Sequence, residues 1–171
     1  MQTENQIFLF QAAEKLLFHY GRGSTFDVLT PQIIKLEMQS HKSREYLHIH
    51  NLSQEGLEYF ISNYGLNYKV LYLDDCTKIK DFSALGDLPN LEALCIERSR
   101  GTAELWDLSK NRKLKVLSIR GAKEFTKKPP QLGLSSTLEE IRFWSQTMDK
   151  KYVMDSLSCF AGMYSLRRID H

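Results

Sequence analysis

Cysteine is scarce: Cys76, Cys95 and Cys159 are all the sequence holds, and their odd number and wide, unequal spacing fit neither a disulfide framework nor a paired C-x-x-C zinc site. A reducing compartment is the simpler setting for such a chain. Four prolines and nine glycines among 171 residues exclude a collagen-like or low-complexity polymer. No apolar run approaches the roughly 18 residues that a membrane-spanning helix requires. The short run Ile7 to Phe10 follows Glu4 instead of a basic region, so it does not read as a signal peptide. An excess of one charge is also missing, since 23 Lys and Arg stand against 21 Asp and Glu, spread along the chain. Neither a nucleic-acid footprint nor an acidic tail is signalled, and the expected setting is the cytoplasm, with no nucleic acid and no membrane as partner.

The motifs of nucleotide and hydrolytic chemistry are absent too: there is no phosphate loop, no G-x-G-x-x-G, no G-x-S-x-G and no H-E-x-x-H. Gly21-Arg-Gly-Ser24 is too short for a phosphate cradle and reads as a turn. Lys123, Lys127 and Lys128 before Pro129 form a small basic patch of the kind that usually makes a solvated face. No cofactor is expected.

What is present suits one globular domain, 42% hydrophobic and 26% charged. A chain of this size buries roughly 70% of the surface its unfolded form exposes, enough for a core without staples. Phe10, Ala13, Leu17 and Tyr20 recur at helical spacing and predict an amphipathic helix over residues 5–20, with a short strand at Ile7 to Phe10 as the rival. After Pro31, the run Ile33-Ile-Lys-Leu-Glu-Met38 alternates apolar and polar residues, which predicts a half-buried strand turning at Gln39 to Ser43.

From Arg44 a single pattern returns, L-x-x-L-x-L. It is clean in Leu91-Glu-Ala-Leu-Cys-Ile96, Leu114-Lys-Val-Leu-Ser-Ile119, Leu138-Glu-Glu-Ile-Arg-Phe143 and Leu166-Arg-Arg-Ile-Asp-His171. It is looser in Arg44-Glu-Tyr-Leu-His-Ile49 and Tyr68-Lys-Val-Leu-Tyr-Leu73. The last positions fall at Ile49, Leu73, Ile96, Ile119, Phe143 and His171, a nearly constant interval that lengthens only at the final step. Each copy is a strand too short to bury its own apolar side, so neighbouring copies must stack into a parallel sheet over a shared core. Leu47, Ile49, Leu71, Leu73, Leu94, Ile96, Leu117, Ile119, Ile141 and Phe143 would line that core from the strands, with Ile79, Phe82, Leu85, Leu88, Leu105 and Leu108 opposite. Ser53 to Ile61 reads as a helix capped by Ser53 with Gly65 beyond its end, and Asp155 to Met163 as a second one.

The sequence here resembles the leucine-rich-repeat family, whose short units each supply a strand and a return segment. Leu71 to Leu91 is similar to the bacterial internalin-like subtype, with Cys76 at the family's Asn/Cys position; the other copies depart there with Leu52, Ser99, Ala122 and Gln146. The resemblance implies an α/β solenoid with a concave parallel sheet of five or six strands, a cap over residues 1–43 and the repeat domain over 44–171. It also implies a non-catalytic module that docks a protein on the concave sheet.

The residues between the leucines would stand in columns about 4.8 Å apart. One column alternates in sign, Glu45, Lys69, Glu92, Lys115, Glu139, Arg167, and reads as a self-neutralising ladder. The others are Tyr46, Val70, Ala93, Val116, Glu140, Arg168; then His48, Tyr72, Cys95, Ser118, Arg142, Asp170; then His50, Asp74, Glu97, Arg120, Trp144. Aromatic and Arg side chains carry much of the binding free energy at interfaces. The candidate partner-binding residues are therefore Tyr46, His48, His50, Tyr72, Asp74, Glu97, Arg120, Arg142 and Trp144. The alternative is a small metal-dependent enzyme, because His48, His50 and Asp74 could offer three ligands to one ion. A Cys95–His48 nucleophile pair would stand two strands apart, about 10 Å, too far for a hydrogen bond. Finally, Leu166 to His171 reads as an edge strand, which either continues into further repeats of a longer array or joins two copies as a homodimer.

Overall fold

The computed structural model describes residues 28–40, 45–99, 106–120, 135–144 and 160–170, with backbone alone at 40, 143, 144 and 170. Six strands form one sheet: β1 Tyr46–His50, β2 Val70–Asp74, β3 Ala93–Glu97, β4 Val116–Arg120, β5 Glu140–Trp144 and β6 Arg168–Asp170. All neighbours are parallel and the spatial order is the chain order. The return segments hold little helix: α1 Pro31–Ser40, α2 Gln54–Tyr64, and single 3-10 turns at Gly65–Asn67, Ser83–Asp87 and Leu108–Lys110. No helix among the described residues is long and apolar enough to cross a membrane.

The repeat fixes the register. Leu47, Leu71, Leu94, Leu117, Ile141 and Ile169 stand in one row across the sheet. Just before each strand one carbonyl takes two successive amides of the next copy. Glu45 accepts from Lys69 and Val70 at 2.8 and 3.1 Å, Lys69 from Glu92 and Ala93 at 2.7 and 3.0 Å, and the pattern continues to Glu139 with Arg167 and Arg168. Slipping by one residue would turn every leucine out of the core. The strand-side core residues named from the pattern are buried from Leu47 to Ile141, and so are Ile79, Phe82, Leu85, Leu88 and Leu108 opposite them.

Buried polar groups on the return side are satisfied by one amide that the repeat pattern does not reveal. Asn111 is fully buried; its Nδ2 donates to the carbonyls of Leu85 and Leu88 at 2.9 and 3.0 Å, and its Oδ1 accepts from Trp106 Nε1 at 2.6 Å. Cys76, equally buried, turns its thiol to the carbonyl of Asp74 at 3.4 Å.

The strand expected over residues 33–38 is a helix. Alternation would put Ile34, Leu36 and Met38 on one face, whereas Ile34 is 3% exposed and Leu36 62% exposed, with Ile33 and Met38 packed against the core. Helical spacing decides, and Pro31 begins the helix, where its missing N–H costs nothing. Leu29, just before it, forms a parallel bridge with Leu52 and closes this end of the core. Helix α2 is as expected: the Ser53 hydroxyl accepts from Gly56 N, while Leu57, Phe60 and Ile61 turn inward. Gly65 does not take a left-handed conformation; its φ is −58°, and a Cβ there would overlap Leu88 Cδ2, so close approach accounts for the glycine. The helix expected over residues 5–20, Leu105, and most of the helix expected from Asp155 lie outside the described residues.

Candidate functional site

The sheet face opposite the main core carries the columns, and its exposure changes along the strands. In the first column Val70, Ala93 and Val116 are 2–3% exposed and make a small apolar cluster of their own, with Tyr46 packed against it and half-buried. Farther along, His48, Cys95 and Ser118 are buried as well. Polar surface emerges at His50, Glu97 and Arg120 at the strand ends and at Tyr72 in the middle of β2, all part-exposed. The expectation that all three columns are displayed for recognition therefore needs correction: His48 and Asp74 are buried structural residues, at 7% and 5% exposure.

Asp74 organises this region. Arg98 donates to it twice, from Nε to Oδ1 at 2.9 Å and from Nη2 to Oδ2. His50 Nδ1 lies 3.3 Å and His48 Nε2 3.7 Å from the same Oδ2, the latter an electrostatic contact longer than a hydrogen bond. Burial alone would raise the pKa of Asp74, but the His48 and Arg98 contacts outweigh it and hold the carboxyl well below the usual range.

The His48 ring stacks on Tyr72, centroids 4.3 Å apart and planes 12° from parallel, and the Tyr72 hydroxyl donates to Glu97. Burial, then that hydrogen bond to a carboxylate, raises the Tyr72 pKa, so the phenol stays protonated. Glu97 also faces Arg120 Nη1 at 3.9 Å. On β5 the buried carboxylate of Glu140 accepts from Arg142 Nε, so part-exposed Arg142 serves it as counter-ion. Trp144 stands in register with Arg120 at the strand end; its side chain lies outside the described part. In the alternating column the first step closes, Lys69 Nζ to Glu45 Oε1 at 2.6 Å.

Arg98 is the site residue that a reading by columns misses. It follows β3, as Asn51 follows β1 and Asp75 follows β2, and all three have positive φ, 55°, 52° and 54° in chain order. Each amide passes the ladder on, Asn51 N to Asp74 O, Asp75 N to Glu97 O and Arg98 N to Arg120 O at 2.9 to 3.0 Å. Asn and Asp tolerate this left-handed conformation; arginine does so at a cost of about 1 kcal/mol. A signal for it exists in the sequence, since Asn51 and Asp75 hold the same repeat position. It lies outside the residues between the leucines.

His48, His50 and Asp74 do come together, but not around a common point. Both imidazole nitrogens are directed at one carboxylate oxygen that a guanidinium already holds, whereas zinc ligands surround an ion at about 2.0–2.2 Å each. Among the described residues no group of three or more His, Cys, Asp and Glu is arranged to hold a metal ion. Burial pushes the Cys95 thiol up to about 12, only partly offset by Ser118, and pushes Cys76 up to about 12 as well. Neither thiol ionises near neutrality, and Tyr72 of β2 stands between Cys95 and His48. The assembled chemistry is a set of mutually neutralised charges with a stacked aromatic pair. Comparison of the chain with protein-family models, with curated proteins and with solved structures finds no match.

Proposed function

We propose that this chain is a leucine-rich-repeat solenoid acting as a non-catalytic protein-binding module, with the strand-end part of its concave sheet face as the recognition surface. The repeat supports the solenoid: six parallel strands in chain order, one for each copy of L-x-x-L-x-L. The observation that carries the binding reading is the part-exposed strand-end row His50, Glu97 and Arg120, with buried Asp74 as its member on β2 and part-exposed Tyr72 beside it at mid-strand, fixed by contacts of His50 with Asp74, Tyr72 with Glu97 and Glu97 with Arg120. Side chains already held in place lose little freedom on docking, so more of each contact appears as affinity. A metal-dependent reaction at His48, His50 and Asp74 finds no comparable support, because Arg98 holds the shared carboxylate.

The test is capture by the immobilised chain from lysate, identification of the enriched protein by mass spectrometry, and calorimetry with that protein purified. His50→Ala combined with Arg120→Ala should weaken binding by about tenfold or more, the scale of one interface hot spot. Arg112→Ala with Lys78→Ala, on exposed return segments, should leave it unchanged. Equal binding by both variants would refute the assignment of the surface.

A further inference from the structure

Asp74 faces more cation-forming groups than one carboxylate can neutralise. Arg98 Nη2 is hydrogen-bonded to its Oδ2, and His50 Nδ1 and His48 Nε2 stand 3.3 and 3.7 Å from the same oxygen. While both imidazoles are neutral, Arg98 alone balances Asp74. His48 is buried against Tyr72, and its Nε2 has no hydrogen-bond partner among the described residues. A proton on His48 would meet Asp74 on one side and the Tyr72 ring on the other, both of which favour a cation.

The titratable and charged groups around the two imidazoles are Tyr46 on β1, Tyr72 and Asp74 on β2 with Asp75 after it, Cys95 and Glu97 on β3 with Arg98 after it, and Arg120 on β4. Three carboxylates among them stand against two guanidinium groups, which leaves one negative charge in excess while the histidines are neutral. Two imidazolium ions turn this into one positive charge in excess. Positive charge gathered at buried groups needs a counter-charge, and Asp74 supplies only one. Arg98 marks where a further anion has access. Its Nε and Nη2 are engaged with Asp74, its Nη1 donates to no described residue, and its side chain is 46% exposed. We infer that the strand-end face takes up carboxylate groups of a protein partner at the open edge of Arg98, and does so preferentially once His48 and His50 are protonated. This inference rests on the reading of that face as a recognition surface, and it adds the partner's chemistry and the condition under which docking tightens. At neutral pH the charges of the face nearly cancel, so an acidic segment gains little there. In acid the same face attracts it.

The probe is tetraglutamate, titrated into the isotope-labelled full chain and followed by amide NMR at about pH 7.5 and about pH 5.5. That interval spans the ordinary imidazole value of about 6.5 and leaves glutamate charged. Shifts of the Asp75 and Arg98 amides should saturate at about tenfold lower peptide concentration at the lower pH, the scale of two added charges acting through screened water. His48→Gln combined with His50→Gln should remove that pH dependence, and Arg98→Gly should remove the binding in acid. Because a replacement of buried His48 can fail to fold, His50→Gln alone is the second variant; it should keep the folded spectrum and reduce the gain to about threefold, one charge in place of two. Equal affinity at both pH values, no saturable shift at Asp75 and Arg98 in acid, or loss of the folded spectrum at about pH 5.5 overturns the proposal. None of these outcomes decides whether the face is a recognition surface at all, which the captured partner and the His50→Ala, Arg120→Ala variant judge separately.

Discussion

Removing Arg98 tests the site most directly, because its contribution can be separated into two parts of opposite sign. Arg98 makes two charge-assisted hydrogen bonds to Asp74, itself 5% exposed. Each such bond contributes about 1.5–3 kcal/mol when well shielded. The Arg98 side chain is 46% exposed, so solvent screens much of that, and about 2 kcal/mol is a fair value for the pair. Against it stands the left-handed backbone at φ 54°, which costs about 1 kcal/mol for any residue but glycine. Arg98→Ala should therefore destabilise the chain by about 2 kcal/mol, while Arg98→Gly should lose about 1 kcal/mol, because it sheds the strain as well as the bonds. Urea unfolding at pH 7 of these variants, of Asp74→Asn and of the double replacement gives the coupling free energy, expected to be about 2 kcal/mol. The pH dependence follows from the depressed carboxyl pKa of the folded state. Its stabilisation is present above the ordinary value of 3.8 and is lost as pH falls below it, so wild type and Arg98→Ala should converge in acid. A coupling under about 0.5 kcal/mol, or equal stabilities for the Gly and Ala variants, would contradict this account of the site.

Three further outcomes follow from the packing. Ile34→Glu should abolish a cooperative thermal transition or lower its midpoint sharply, whereas Leu36→Glu should change stability by less than about 0.5 kcal/mol; a strand at this position would make both severe. Asn111→Leu should cost about 2–4 kcal/mol in urea unfolding, because Trp106 Nε1 loses its acceptor while the Leu85 and Leu88 carbonyls keep only backbone amides at 3.3 and 3.4 Å. Cys76 and Cys95, with thiols pushed up to about 12, should resist iodoacetamide in the native protein at pH 8 and react once urea unfolds it, as read by peptide mass; fast native labelling of either would contradict their burial.

The strand rows are legible in the sequence because the pleat repeats every two residues and the copies recur at nearly constant intervals, so aligning the leucines also aligns their neighbours. The structure reproduces those rows from Tyr46↔Val70 to Arg142↔Asp170. Legibility ends where a side chain leaves the repeat. Ile33 to Met38 is too short for alternation and helical spacing to separate, and only packing, with Leu36 outward, decides. Arg98 lies one position beyond the columns, and its use depends on a backbone angle that residue types alone do not dictate. Exposure is the other gap: a residue between two leucines reads as displayed, yet Val70, Ala93 and Val116 pack on one another across the strands and are buried.

That burial bears on how a partner would be selected. Among the described residues of this face, Asp74 is engaged with Arg98, Glu97 with Arg120 and Glu140 with Arg142, so these charges largely cancel one another at long range. Long-range steering needs a net field, which these pairs do not supply, so the proposed recognition on this face would rest on shape, aromatic contact and short hydrogen bonds. The rate of association with a captured partner should then change by less than about threefold between low and high salt, where steered complexes change far more. Stopped-flow or surface-based kinetics at about 0.05 and about 0.5 M salt span Debye lengths from beyond to below the roughly 10 Å scale of such fields. A steep fall in association rate across that range would mean that the partner reads unpaired charge elsewhere on the molecule, and the strand-end row would lose its place as the recognition surface.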